Sequence, residues 1–201
     1  MLTGSVPDLR GLQKLQQVDL SNNYVTGSLA TLMQLPILET LLMKRNPINS
    51  QLPQTISKTL VQVDLASCGL YGAIPEAWTT TNLKSLDVRH NNLSGSVPCF
   101  GEHVTALYAS KNLLDGEFCG RSLRSIVELD LSFNNLTKTF DLPNANISSM
   151  SVLSIADNKF TSFLPSKADP STSVPHQCNA AFNAFKCPIP SWSERCGAKC
   201  T

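Results

Sequence analysis

The sequence is short of charge. Only 15% of its 201 residues are Asp, Glu, Lys or Arg, 16 basic against 15 acidic, for a formal net charge of +1. That balance excludes the broad basic face that nucleic acid selects and the polybasic patch that an anionic membrane selects. No apolar run approaches about 18 residues, so no stretch reads as a membrane-spanning helix. No leader with a basic start and an apolar middle is present either. Met1 runs at once into Leu-Thr-Gly-Ser-Val-Pro, the tail of a repeat, and is read as the start of a fragment whose leader lies elsewhere. The three histidines, His90, His103 and His176, are scattered, and there is no nucleophile elbow, phosphate loop or HExxH. His90 lies near Asp87 but has no nucleophile beside it. Neither an enzyme nor a cofactor or metal is expected.

What the chain has is repetition, which decides a fold before anything else does. One pattern recurs: leucine, two residues, leucine, one residue, leucine, two residues, then Asn or Cys. It reads LQQVDLSNN from Leu15, LETLLMKRN from Leu38, LVQVDLASC from Leu60, LKSLDVRHN from Leu83, VTALYASKN from Val104, IVELDLSFN from Ile126 and MSVLSIADN from Met150. The polar residues closing these units are Asn23, Asn46, Cys68, Asn91, Asn112, Asn134 and Asn158, spaced 23, 22, 23, 21, 22 and 24 apart. This makes seven repeats, with a truncated one at Leu2 to Pro7.

Downstream of the polar residue come Gly72-Ala-Ile-Pro75 and Gly95-Ser-Val-Pro98, with partial forms at Gly27 and Gly116. The pattern is identified as the leucine-rich repeat. The stretch NNLSGSVP at Asn91 to Pro98 resembles the plant-specific class found in receptor ectodomains and polygalacturonase inhibitors. The resemblance covers roughly residues 2 to 165. It implies an extracellular solenoid that binds other molecules, or an inhibitor of a secreted cell-wall-degrading enzyme.

Elementary geometry gives the same fold class. Strand side chains alternate, so the leucines of one unit face one way and cannot bury themselves within that unit. Stacked units bury them against their neighbours and turn the strands into one parallel concave sheet. The convex side is expected to be irregular, with short 3-10 turns and prolines that need no hydrogen-bond partner for a missing N–H. A buried Asn closing each strand can both donate to and accept from backbone groups where the chain turns away. Ala109 occupies a leucine position, and residues 140–150 lack the Gly-x-Ile-Pro return, so the coil is expected to be irregular there.

The seven cysteines are an odd number, so at least one is unpaired in a monomer. Cys68 is the candidate, as a buried thiol in the ladder. Cys99 and Cys119 occupy equivalent places one repeat apart. Adjacent coils lie about 5 Å apart, within disulfide reach, and a bond is favoured over two separate thiols. Cys178, Cys187, Cys196 and Cys200 form a disulfide cap over the last coil. Its three possible connectivities remain open, and the spacings match no zinc site. The cap implies an oxidising compartment, at the cell surface or outside the cell. Its CPIPSW stretch resembles caps of protozoan (kinetoplastid) surface leucine-rich-repeat proteins. The domain reading is therefore repeats over 1–165, then a linker and Cys-rich cap over 166–201.

Three Asn-x-Ser/Thr sequons, at Asn92, Asn135 and Asn146, are candidate glycosylation sites on outward positions, although the repeat consensus itself generates such triplets. The N-terminus shows no cap. Its edge at Leu2, Val6, Leu9 and Leu12 is expected to be bare, and a homodimer through it is one expectation. On the concave face, Lys44, Arg45, Arg89, His90 and Lys111 form a basic stripe beside Tyr108 and Phe133. These are side chains of the kind enriched at binding hot spots, and they suit a protein loop or a glycan as ligand. A column of carboxylates, Asp19, Asp64, Asp87 and Asp130, belongs to the common form of the repeat and is read as balancing the stripe.

Overall fold

The computed structural model describes residues 1–164 and 175–200. The strands are β1 (Thr3–Ser5), β2 (Gln17–Asp19), β3 (Tyr24–Thr26), β4 (Thr40–Leu42) and β5 (Gln62–Asp64). They continue as β6 (Tyr71–Gly72), β7 (Ser85–Asp87), β8 (Asn92–Gly95), β9 (Ala106–Tyr108) and β10 (Leu113–Glu117). Last come β11 (Glu128–Asp130), β12 (Asn135–Asp141), β13 (Val152–Ser154), β14 (Lys159–Leu164), β15 (Gln177–Asn179) and the short helix α1 (Ser191–Arg195).

Eight of these strands make one parallel sheet in the order β2-β4-β5-β7-β9-β11-β13-β15. Its central residues, Val18, Leu41, Val63, Leu86, Leu107, Leu129 and Leu153, are all buried. Each is the leucine-position residue that its own unit cannot cover, and the stack covers it. Short 3-10 turns lie on the return path at Leu32–Gln34, Glu76–Thr80 and Ile147–Ser149. Trp78 is buried in the second of them, and its indole N–H donates to the Pro53 carbonyl at 2.9 Å.

The closing Asn does what its chemistry allows. Asn91 Nδ2 donates to the carbonyls of Leu65, Val88 and Arg89 at 2.9, 2.9 and 3.2 Å, while Oδ1 accepts from the N–H of Cys68 and Leu70 at 3.0 and 2.9 Å. Asn46, Asn112, Asn134 and Asn158 repeat the arrangement. Cys68 cannot accept in this way. The Ile48 N–H in the turn below instead bonds the Asn46 carbonyl at 2.8 Å, and the Cys68 thiol lies 3.3 Å from the Met43 carbonyl.

Two features go beyond the sequence expectation. The first is a second parallel sheet, β6-β8-β10-β12-β14, with β1 and β3 pairing separately. The residues after the closing position extend and pair with the next coil, and in three coils a glycine bends or ends the stretch. Gly72, Gly95 and Gly116 hold φ of 80°, 77° and 77°, where a side chain would be strained. The irregularity expected after Phe140 begins just before it, as a register shift between Lys138 and Thr139 against β14.

The second is an eighth turn. β15 pairs in register with β13, and Asn183 is a closing Asn, donating to the carbonyls of Ile155, Ala180 and Ala181. The main sheet therefore runs into the segment read as cap, while the expected linker, residues 166–174, lies outside the described residues. Cysteine and alanine stand where this turn would carry leucines, which hid it from a search for leucine spacing. Disulfides supply what the apolar side chains do not. Cys178 joins Cys196 and Cys187 joins Cys200, with Cα separations of 5.0 and 5.4 Å. Cys99 and Cys119 are bonded across adjacent coils, and Cys68 is free and buried.

At the other end, Leu2 and Leu12 are exposed while Val6, Leu9 and Leu15 pack partly against the core. Among the described residues no helix is long and apolar enough to cross a membrane.

Candidate functional site

The parallel register arranges the outward side chains of the concave sheet in columns. The third strand position reads Asp19, Leu42, Asp64, Asp87, Tyr108, Asp130, Ser154, Asn179. The carboxylates are therefore not one continuous column, because Leu42 and Tyr108 interrupt it and only Asp64 and Asp87 are direct neighbours. Their shared task is local. Each accepts the backbone N–H two residues on: Ser21 on Asp19 (2.9 Å), and Ala66 on Asp64, Arg89 on Asp87 and Ser132 on Asp130 (3.1 Å each). This side-chain turn helps carry the chain out of the strand. Asp130 also takes the hydroxyls of Ser110 and Ser132, at 2.7 and 2.6 Å.

Two of the predicted basic residues are held by this column. Arg89 grips Asp87 in a fork, with Nη2–Oδ2 at 2.6 Å and Nε–Oδ1 at 3.0 Å, and lies 4.7 Å from the centroid of the Tyr108 ring. The hydrogen-bonded Asp87 carboxylate raises the pKa of Arg89 further above its ordinary value. Lys44 pairs with Asp64 at 3.6 Å. Burial is the main cause pushing the Asp64 carboxyl above its ordinary pKa. The Ala66 N–H opposes the shift and the neighbouring Asp87 adds to it.

The remaining predicted residues stand on a different line. The residue before each closing Asn adopts the left-handed conformation: Asn22, Arg45, Ser67, His90, Lys111, Phe133, Asp157 and Phe182, with φ between 54° and 58°. Each of the first seven donates its N–H to a carbonyl of the next turn, as Arg45 does to Ala66 and Lys111 to Ser132. The left-handed turn is thus locked by the stack, and its side chain is thrown outward at the rim of the sheet. Arg45 donates to the Asn22 side-chain oxygen at 3.4 Å, and Lys111 lies 5.7 Å from the Phe133 ring centroid. Among the described residues neither has a carboxylate partner. Phe133 is 50% exposed and Phe182 79%.

The basic stripe is therefore two sets, Lys44 and Arg89 neutralised on the sheet, and Arg45, His90 and Lys111 along the rim. Two hollows flank Arg89. One, of about 390 Å³, is walled by Lys44, Asp64, Asp87 and His90. The other, of about 400 Å³, lies between Arg89, Tyr108, Glu128, Asp130, Gln177 and Asn179. Sequence reasoning passed over Glu128 as a site residue, and missed Phe182, Gln177 and Asn179 because they belong to the unrecognised eighth turn. Regular spacing of Asn183 from Asn158, 25 residues, was the available signal. Among the described residues no group of His, Cys, Asp or Glu is arranged to hold a metal ion. Asn92, Asn135 and Asn146 are all exposed, the first two opening strands of the second sheet and the third preceding a 3-10 turn.

A concave parallel sheet closed by an Asn ladder, with variable side chains on its outer columns, defines a leucine-rich-repeat solenoid. The family described as Leucine Rich Repeat matches residues 82–102, and a second, described as Leucine Rich repeat, matches residues 122–139. The chain is similar to Receptor-like protein 18 of Arabidopsis thaliana, 30% identical over 159 residues, covering 75% of this chain and 19% of that protein. It is 28% identical to Receptor-like protein 54 of the same plant over 167 residues, 80% of this chain and 18% of that one. Among solved structures it matches the Arabidopsis receptor kinase HAESA, in complex with the peptide hormone IDA and the co-receptor SERK1. That match has a TM-score of 0.80 and 26% identity, covering 96% of this chain and 34% of that one. The chain belongs to the leucine-rich-repeat proteins, in the plant extracellular class. It spans about a fifth of the length of the curated relatives it matches. These relatives are plant proteins, and the likeness of the cap to protozoan surface proteins finds no support among them.

Proposed function

We propose that this chain is an extracellular recognition module that binds a peptide or protein ligand across its concave face, without catalysis. The observation that carries this reading is the Arg89–Tyr108 pair. Asp87 fixes the guanidinium and Arg89 covers the ring, so both are presented in one orientation beside a polar hollow that Glu128 also lines. A preorganised Arg–aromatic pair loses little freedom on binding, which is what a hot spot requires. HAESA, of the same fold, is a receptor kinase solved with a peptide hormone, which supports a peptide over a glycan here. The three disulfides and the exposed sequons at Asn92, Asn135 and Asn146 fit a secretory route.

The test is capture of secreted peptides and ectodomains on the immobilised chain, repeated with Tyr108→Ala. A genuine ligand loses about tenfold in affinity with that variant. A ligand that ignores Tyr108→Ala and Glu128→Ala while losing affinity to changes on the second sheet overturns the concave reading. Inhibition of a pectin-degrading enzyme supports the inhibitor reading instead. Exposed Leu2 and Leu12 favour a second association, between copies of this 201-residue chain, which sedimentation across a concentration series reads directly.

A further inference from the structure

Among the described residues of the predicted stripe, the cations without a carboxylate partner are not spread over the concave sheet. They stand on the rim line of left-handed residues, and their order along it is polar. Counting turns by closing residues, Arg45 stands on the second, His90 on the fourth and Lys111 on the fifth. Phe133 follows on the sixth, Asp157 on the seventh and Phe182 on the eighth. The cations therefore occupy one half of the line, and the exposed rings occupy the other with a single carboxylate between them.

We propose that this rim docks an extended acidic peptide segment in one direction only, with acidic residues on Arg45 and Lys111 and an apolar side chain on Phe182. The proposal rests on the concave-face reading and moves its main contact from the sheet floor to the rim. Charge complementarity selects the partner. Lys44 and Arg89 already satisfy Asp64 and Asp87, whereas Arg45 and Lys111 have no carboxylate among the described residues. Spacing sets the pattern. Neighbouring turns lie about 4.8 Å apart, so Arg45 to Lys111, three turns, spans roughly 14 Å, and Lys111 to Phe182 spans the same. An extended peptide advances about 3.3 Å per residue, so each span takes about four residues. The matching segment has acidic residues at positions i and i+4 and an aromatic or large aliphatic one at i+8. Side chains alternate along an extended peptide, so i+6 is the rim-facing position that Asp157 meets between Lys111 and Phe182; an acid is disfavoured there and a lysine accepted. A peptide of opposite polarity would set its acids against Asp157 and the exposed rings.

The experiment uses a fluorescent synthetic peptide with Asp at i and i+4, Lys at i+6, Trp at i+8 and neutral spacers, titrated by anisotropy against the whole chain. The same peptide with its order reversed serves as control. The forward peptide is expected to bind about tenfold more tightly than the reversed one. Its affinity should fall by about tenfold or more in Arg45→Glu/Lys111→Glu, fall also in Phe182→Ser, and decline as salt rises. All three positions are exposed, and melting temperatures of the variants check that the fold is kept. Equal binding of the two peptides, or binding insensitive to all three variants, overturns the proposal. If Tyr108→Ala removes peptide binding while the rim variants do not, the floor reading stands and the rim falls. An oligogalacturonide that binds through Arg45 and Lys111 where the peptide does not makes the partner an anionic polysaccharide and overturns the acidic-peptide assignment.

Discussion

At the residue scale the ladder is the most demanding part of the molecule. Asn91 satisfies two N–H groups and three carbonyls that the fold has removed from water. Each buried group left unpaired costs about 1–3 kcal/mol, so Asn91→Ala is expected to cost about 3 kcal/mol or more in denaturant unfolding. Cys68→Ala removes only weak sulfur contacts and a small apolar volume, and is expected to cost about 1 kcal/mol. Burial also pushes the Cys68 thiol up to about 11. With little thiolate and no access, Cys68 should resist iodoacetamide at pH 8 in the folded chain and react once unfolded, as a mass shift of one adduct shows.

Asp64 makes a pH prediction of definite sign. Its folded pKa is raised, so the folded state holds its proton more tightly than the unfolded one. The carboxylate therefore destabilises the fold above the folded pKa, and the penalty is relieved as pH falls through the carboxylate range. Asp64→Asn keeps an acceptor for the Ala66 N–H and removes the charge beside Asp87. The variant is expected to be more stable than the parent near neutral pH, with the difference shrinking toward acid. Thermal melts from pH 7 down to about pH 4 read this, and a variant less stable at neutral pH would show that the Lys44 pairing outweighs burial.

At the scale of elements, the C-terminal half is held by aromatic rings and disulfides where the leucine pattern thins. Phe140 stacks on Phe118 at 5.5 Å between centroids, and meets Phe160 and Phe163 edge-on at 5.5 and 5.2 Å. This cluster fills the interior next to the β12–β14 register shift, where the Gly-x-Ile-Pro return is missing. Phe140→Ala should cost about 3–5 kcal/mol, as for other buried phenylalanines. Removing Cys178–Cys196 by paired serine substitution should cost about 2–4 kcal/mol. It should also loosen β15, because the Ala180 N–H bonds the Cys196 carbonyl at 2.7 Å. Proteolysis after Lys186 and Arg195 should then begin at lower denaturant than elsewhere in the chain.

At the scale of the whole molecule, a solenoid is held by nearest neighbours alone. The middle turns are covered on both sides. Val63, Leu86, Leu107 and Leu129 are fully buried, whereas Val18 in the first turn keeps 6% exposure. Amide hydrogen exchange is therefore expected to be slowest in β5, β7, β9 and β11 and to quicken toward β2, in a graded profile. A single uniform protection factor along the sheet would mean that this chain opens only as one unit.

Much of this was legible in residues alone because the repeat is a one-dimensional code. Spacing near 23 residues requires stacking, the leucines require a shared core, and the Asn at each strand end requires a backbone to satisfy. The eighth turn escaped because Pro175, Cys178 and Ala180 stand where leucines would, and a disulfide does their work. Which cap cysteines pair was likewise open, since the connectivity follows from which coils meet. The basic stripe was seen in outline but not in its division. Sequence order marks Lys44 and Arg45 as equivalent neighbours just past the end of β4, yet the backbone changes hand between them, with Arg45 at a φ of 56°. Lys44 lies against Asp64, and Arg45 is turned out by a left-handed backbone locked to the next coil. Local chemistry thus decides which side chains the protein carries and how often. Their partners, and so which charges stay free for a ligand, depend on the register between coils, which exists only once the solenoid has formed.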